Sequence, residues 1–143
     1  MRDKCILPFL ITERLEFFQL TQADLPELEI LLGDTEIMYA WEHGFTKIES
    51  QAWLNENLRR YSSDGYSYWA VRKKNDGSLI GVMGILKEVA EGKQYIGIGY
   101  ILNKKYWGQG YAGEGTEALC QYAFRKLQLQ TLTAQVRTNN FAS

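Results

Sequence analysis

Between an apolar run ending at Leu102 and a helical pattern opening at Tyr111, the chain reads YWGQGYAGEG over residues 106–115, with four glycines in ten positions. Strand, bare backbone and helix in that order narrow the possible folds. The strand must stop, the chain must turn through conformations that glycine adopts most readily, and a helix must begin with its first amides uncovered. Read as letters, Gly108 to Gly113 is G-x-G-x-x-G, the fingerprint of a dinucleotide-binding turn. Three features count against that reading. Asn103 to Trp107 separate the strand from the first glycine, the next strand ends in Arg137 rather than an acidic residue, and only one further strand follows. A Walker loop is excluded because no Gly-Lys-Ser/Thr occurs, and a kinase glycine loop lacks room downstream. What remains is a turn whose N–H groups, at a helix N-terminus, can cradle a pyrophosphate by dipole and amide geometry.

A chain of 143 residues, 45% hydrophobic, can bury one good core, so residues 1–143 are expected to form a single domain. Sixteen basic against seventeen acidic residues leave a formal charge of −1, without the cationic footprint that nucleic-acid phosphates require. Cys5 and Cys120 are the only cysteines and lack CxxC spacing, which suits a reducing compartment and argues against a thiolate metal site. The run ILPFLI (Ile6–Ile11) is too short for a signal-peptide core and is broken by Pro8. The expectation is a cytoplasmic protein without nucleic-acid or membrane partners and without metal.

Along the chain, RLEFFQL (Arg14–Leu20) predicts a first strand. Thr21 with Asp24 matches a capping signature, and Leu25, Leu28 and Leu32 then repeat at helical spacing, predicting a helix that ends near Gly33. GDTEIMYAWEHGF (Gly33–Phe45) has no sustained period and reads as a loop with one helical turn, carrying His43 beside Glu42 and Trp41. Thr46 with Glu49 opens a second helix whose apolar side is read as Ile48, Ala52, Leu54, Leu58 and Tyr61. Then come Tyr66–Lys74, an Asn-Asp-Gly turn, and Ser78–Glu88, which should pair antiparallel. Tyr95–Leu102 continues the meander. Its Gly97 and Gly99 imply either a bulge or close backbone approach, or tight helix packing on the sheet. The main helix is predicted from Tyr111 to Leu127, and a last strand over Gln130–Val136.

The order of these elements, together with RLEFFQLTQAD, LIGVMGI, GIGYIL, Trp107-Gly-Gln-Gly-Tyr-Ala112 followed by Glu114, and VRTNNFAS, resembles the GNAT superfamily of acyl-CoA N-acyltransferases, in its RimJ/RimL-like branch. Trp107 stands where Gln or Arg is usual. The resemblance implies an α+β fold of three α/β layers: a mixed, mostly antiparallel central sheet with helices on both faces. It also implies a missing final helix and strand pair, hence a truncated or partly ordered copy, or a neighbouring chain, as in a homodimer, over the exposed sheet.

The same resemblance implies acetyl-CoA as cosubstrate and a primary amine, a protein N-terminus or a small amine, as acceptor. The amides of Gly108, Gln109, Gly110, Tyr111, Ala112 and Gly113 would bind the pyrophosphate, and Tyr100, Ile101 and Leu102 would hold the pantetheine arm through their main chain, with Asn140 on its other side. The backbone near Tyr100 would polarise the thioester carbonyl. Gly97 occupies the position of the family's usual glutamate base, so Glu42 and His43 are the candidates for that work. The competing expectations are a non-catalytic acyl-CoA-binding or sensing domain and an NADP-binding oxidoreductase.

Overall fold

Asp76 and Gly77 close the hairpin that organises the sheet: Asp76 Oδ1 accepts from Ser78 N at 2.9 Å, and Gly77 turns at φ 75°. The computed structural model describes residues 7–39, 43–127 and 133–134. Its elements are β1 (Leu10–Ile11), β2 (Leu15–Phe18), α1 (Leu25–Gly33), α2 (Lys47–Ser63), β3 (Tyr68–Lys73), β4 (Leu79–Ala90), β5 (Lys93–Leu102), α3 (Tyr111–Arg125) and β6 (Thr133–Ala134). The strands lie side by side in chain order. β1 to β5 are antiparallel and β6 joins β5 in parallel, which makes the sheet mixed, as expected. The second hairpin turns on Glu91 and Gly92, both at positive φ.

Alternation of side chains divides the core in two. Leu15, Phe17, Trp69, Val71, Met83, Ile85, Ile98, Tyr100 and Leu102 face α3, while Phe18, Tyr68, Ala70, Val82, Leu86 and Ile101 face α1 and α2. One irregularity interrupts this. Val71 pairs with Gly81 and Arg72 with Leu79, so Ile80 is an extra residue that joins the α3 face.

Both capping boxes form. Thr21 and Asp24 open a three-ten turn that leads into α1, and Thr46 and Glu49 exchange hydrogen bonds of 3.1 and 2.9 Å at the start of α2. The buried side of α2 differs from the sequence reading. Ile48 is 83% exposed, whereas Ser50 and Asn57 are buried beside Leu54. Asn57 earns that place by bridging elements: its Oδ1 accepts from Tyr68 N at 3.0 Å and from the Ser67 hydroxyl, and its Nδ2 donates to Trp53 O at 2.8 Å. A hydrophobic period cannot register a buried amide with that task.

Candidate functional site

The glycine turn is built at the end of β5. Asn103 Oδ1 accepts from Lys105 N at 3.2 Å and opens a three-ten turn over Lys104–Tyr106, after which the indole N–H of Trp107 donates back to Leu102 O at 2.9 Å. Trp107 therefore ties the turn to the strand it has just left. Gly108 and Gly110 follow at φ 75° and 83°, in the left-handed region. Gly110 is the N-cap of α3, and no side chain caps that helix. Its first amides have no intrahelical acceptor, so the positive end of the helix dipole is bare. At Gly113 an added Cβ would meet nothing within 4 Å, which leaves the outer side of the first turn open.

The turn is braced from a segment far away in sequence. Glu114, in the first turn of α3, accepts from Thr12 Oγ1 at 2.5 Å, from Arg14 N at 2.9 Å and from Arg14 Nε at 2.7 Å. Arg14 Nη1 also donates to Gln109 O at 3.1 Å, and the guanidinium lies 4.2 Å from the Tyr111 ring centre. Burial pushes the Glu114 carboxyl up, but the hydrogen bonds from Thr12 and Arg14 and the Arg14 charge outweigh it and hold the pKa below the usual range. The sequence placed Glu114 only behind the glycine motif and Arg14 at the start of a strand. Their pairing has no local signal, because 100 positions separate them.

Tyr100, Ile101 and Leu102 complete β5 beside the turn. Tyr100 and Leu102 pack toward α3, and Ile101 toward α2. β6 pairs with β5 at Gly97 and Ile98, and on the other side of β5 Gly99–Leu102 pairs with Gly81–Gly84 of β4. Gly99 owes its missing side chain to Tyr68 rather than to a helix: an added Cβ would stand 3.0 Å from the Tyr68 hydroxyl and 3.1 Å from Leu86 Cδ1. Helix packing does explain Gly115, where a Cβ would lie 2.2 Å from Met83 Sδ.

His43 lies before α2, where its Nε2 is 2.9 Å from Glu49 Oε2 and its ring is 5.8 Å from that of Phe45. It is more than half exposed and joined to a capping residue. Glu42 and Asn140 lie outside the described residues. On the α2 face, a cavity of about 490 Å³ opens between α2 and β4, walled by Trp53, Glu56, Tyr68, Leu86 and Glu88 among others. No sequence signal marked it, since its residues come from two helical turns and two strands. Glu56 is paired with Arg59 at 2.6 Å and Arg60 at 3.0 Å, and these hydrogen bonds hold its carboxyl at about 2. Such a group is charged at neutral pH and is a poor proton acceptor. Among the described residues no group of three or more His, Cys, Asp or Glu is placed to hold a metal ion, and no helix is long and apolar enough to cross a membrane.

Residues 14–143 match the acetyltransferase (GNAT) domain family. The chain is 29% identical over 135 residues to YkkB of Bacillus subtilis (strain 168), covering 94% of this chain and 78% of that protein. A solved GNAT-family acetyltransferase from Bacillus anthracis superposes with a TM-score of 0.73 at 25% identity, covering 87% of this chain and 71% of that one. RimL, a ribosomal L7/L12 alpha-N-protein acetyltransferase solved in complex with coenzyme A, superposes at 0.71 with 19% identity, covering 90% of this chain and 73% of its own, a likeness of fold. The family match spans nearly the whole chain, three-layer fold and glycine turn included, and the chain belongs to the GNAT acetyltransferase family.

Proposed function

We propose that this chain is an acetyl-CoA-dependent N-acetyltransferase of RimJ/RimL-like type, working as a single domain in the cytoplasm on a primary amine. The observation that carries the reading is the uncapped start of α3 behind two left-handed glycines, lying next to the Gly99–Leu102 stretch of β5. A diphosphate fits there. The amides from Gly108 to Gly113 would receive it, with Gly110 and Gly113 leaving room for its oxygens and the Arg14 guanidinium adding charge beside them. The main chain of Tyr100, Ile101 and Leu102 would take the pantetheine amides as an added strand, with Asn140 opposite.

The acceptor nitrogen then attacks the acetyl carbon with its lone pair. A C–N bond forms and the C–S bond breaks, sulfur leaves with the electron pair as thiolate, and the proton shed by nitrogen passes by way of the base to that sulfur. A backbone N–H near Tyr100 would stabilise the oxyanion between these events. Glu42 and His43 remain the proposed proton acceptors. The pairing of His43 with Glu49 supports a positioned imidazole, and its exposure supports action through water.

A second reading, a domain that binds acyl-CoA without transferring the acyl group, is favoured by Gly97 standing where family members often carry a glutamate. Thermal melts with acetyl-CoA, CoA and NADP test the binding, since a ligand selective for the folded state raises the midpoint. A shift with NADP and none with CoA would overturn both readings. Thiol release from acetyl-CoA in the presence of amines separates enzyme from sensor.

A further inference from the structure

Three residues in one row across the sheet connect the α2-side cavity to β5. Tyr68 on β3 pairs with Gly84 on β4, and Gly84 pairs with Gly99 on β5. Neighbouring strands are about 4.8 Å apart, so a side chain that starts on β3 reaches β5 only by crossing β4. Two glycines lie on that path: a Cβ at Gly84 would meet the Ser67 carbonyl and Tyr68 Cα, and one at Gly99 would crowd the Tyr68 hydroxyl. The Tyr68 hydroxyl arrives 3.0 Å from where a Cβ of Gly99 would stand.

Everything behind the hydroxyl is fixed. Tyr68 is 6% exposed, Asn57 Oδ1 accepts from its amide, the Tyr61 hydroxyl donates to its carbonyl, and the Trp53 ring lies 5.3 Å away at a 38° tilt. Trp53, Asn57 and Tyr68 also wall the cavity of about 490 Å³, and so does Leu86, whose β5 partner is Gly97. The cavity therefore backs onto the part of β5 between Gly97 and Gly99.

We infer that this cavity is the acceptor pocket and that the Tyr68 hydroxyl, delivered along the Gly84–Gly99 row, holds the acceptor nitrogen at the acetyl group. The inference rests on the reading of β5 as the strand that carries the thioester. On that reading the acyl chain runs from the α3 turn back along Tyr100 to Gly99. An amine entering from the α2 face meets it beside the hydroxyl. The hydroxyl oxygen accepts a hydrogen bond from the uncharged nitrogen and leaves the lone pair directed at the carbonyl. Trp53, Leu86 and the Tyr68 ring form an apolar wall next to that point. Glu56 is already paired with Arg59 and Arg60, and Lys87 Nζ lies 3.8 Å from Asp64. The pocket thus suits a primary amine with an apolar or aromatic shoulder better than a polycation.

Phenethylamine and spermidine serve as acceptor probes, with thiol release from acetyl-CoA as the readout. Phenethylamine is expected to be the better acceptor. Tyr68→Phe keeps the ring against Trp53, so the acetyl-CoA affinity by calorimetry should not change, while kcat/KM for phenethylamine falls on the order of tenfold for one lost hydrogen bond. Gly99→Ala, which places a methyl against the hydroxyl and Leu86 Cδ1, should lower the melting midpoint as well as kcat/KM for phenethylamine. Unchanged amine kinetics in Tyr68→Phe, or equal losses for acetyl-CoA and amine, would overturn the inference, as would preference for spermidine. Acetyl-CoA binding by the unaltered chain with no transfer to either amine would overturn the pocket assignment and leave cosubstrate binding standing. Absence of acetyl-CoA binding would overturn the underlying reading itself.

Discussion

Arg14 Nε and Glu114 Oε1 lie 2.7 Å apart, and through them the start of β2 is fastened to the first turn of α3. The same carboxylate accepts from Thr12 Oγ1 and Arg14 N, so one side chain holds the strand entry and the guanidinium together. The glycine turn lies directly before that first turn, and its geometry depends on this clasp as much as on its own glycines.

Glu114→Gln leaves Arg14 without its ionic acceptor. Hydrogen bonds to charged groups contribute about 1.5–3 kcal/mol, and we expect a loss of that order in denaturant unfolding together with weaker acetyl-CoA binding. The acid limb tests the same clasp. The folded-state pKa of Glu114 lies below its ordinary 4.5, so its contribution is complete above that value and is lost as pH falls through the depressed folded value. The Gln variant should lack this part of the acid dependence. Identical acid limbs for the two proteins would contradict the assignment.

Three glycines of the turn and helix should respond differently to alanine. Gly113→Ala adds a methyl into open space on a helix, and is expected to stabilise by about 0.5–1 kcal/mol. Gly110→Ala forces a side chain into φ 83° and should cost about 1–2 kcal/mol. Gly115→Ala drives a methyl into the fully buried Met83 and should cost about 1–3 kcal/mol. Melting midpoints of the three variants provide the comparison, and any other sign at Gly110 or Gly113 would contradict the backbone geometry described.

Arg72 is buried with Asp24, at 2.9 Å, and pairs with the half-exposed Glu27 at 2.7 Å. Arg72→Met removes the buried cation from Asp24, and breaking a buried pair in this way costs about 3–5 kcal/mol. Adding Asp24→Asn removes the carboxylate charge that faced it and should recover part of that loss. A double variant less stable than Arg72→Met would show that the carboxylate is not the source of the penalty.

Glu56 should titrate at about 2, held down by hydrogen bonds from Arg59 and Arg60. Its folded value is below the unfolded 4.5, so the small benefit of these solvent-screened pairs is present above pH 4.5 and disappears as pH falls toward 2. Carboxyl NMR measures the midpoint directly. In Arg59→Gln/Arg60→Gln the midpoint should rise toward the ordinary value.

Local signals in the sequence located most elements. Thr21–Asp24 and Thr46–Glu49 marked helix starts, Asp76–Gly77 marked the hairpin, and the glycine-rich stretch located the start of α3. Each works within four or five residues, where backbone geometry and side-chain chemistry act together. β1 was not anticipated, because two residues are too few for a period. Ile48 was misread as core, since helical spacing cannot tell a buried stripe from its rim.

The sequence by itself determined the order of strands and helices, the bare amides at the head of α3 and, through several motifs in order, the likeness to the GNAT family. Tertiary structure alone decided why Gly99 is a glycine and what holds the turn. The first follows from a tyrosine two strands away, the second from an arginine 100 positions upstream of its carboxylate. Both are contacts made when strands from different parts of the chain come into register, and register is a property of the whole sheet.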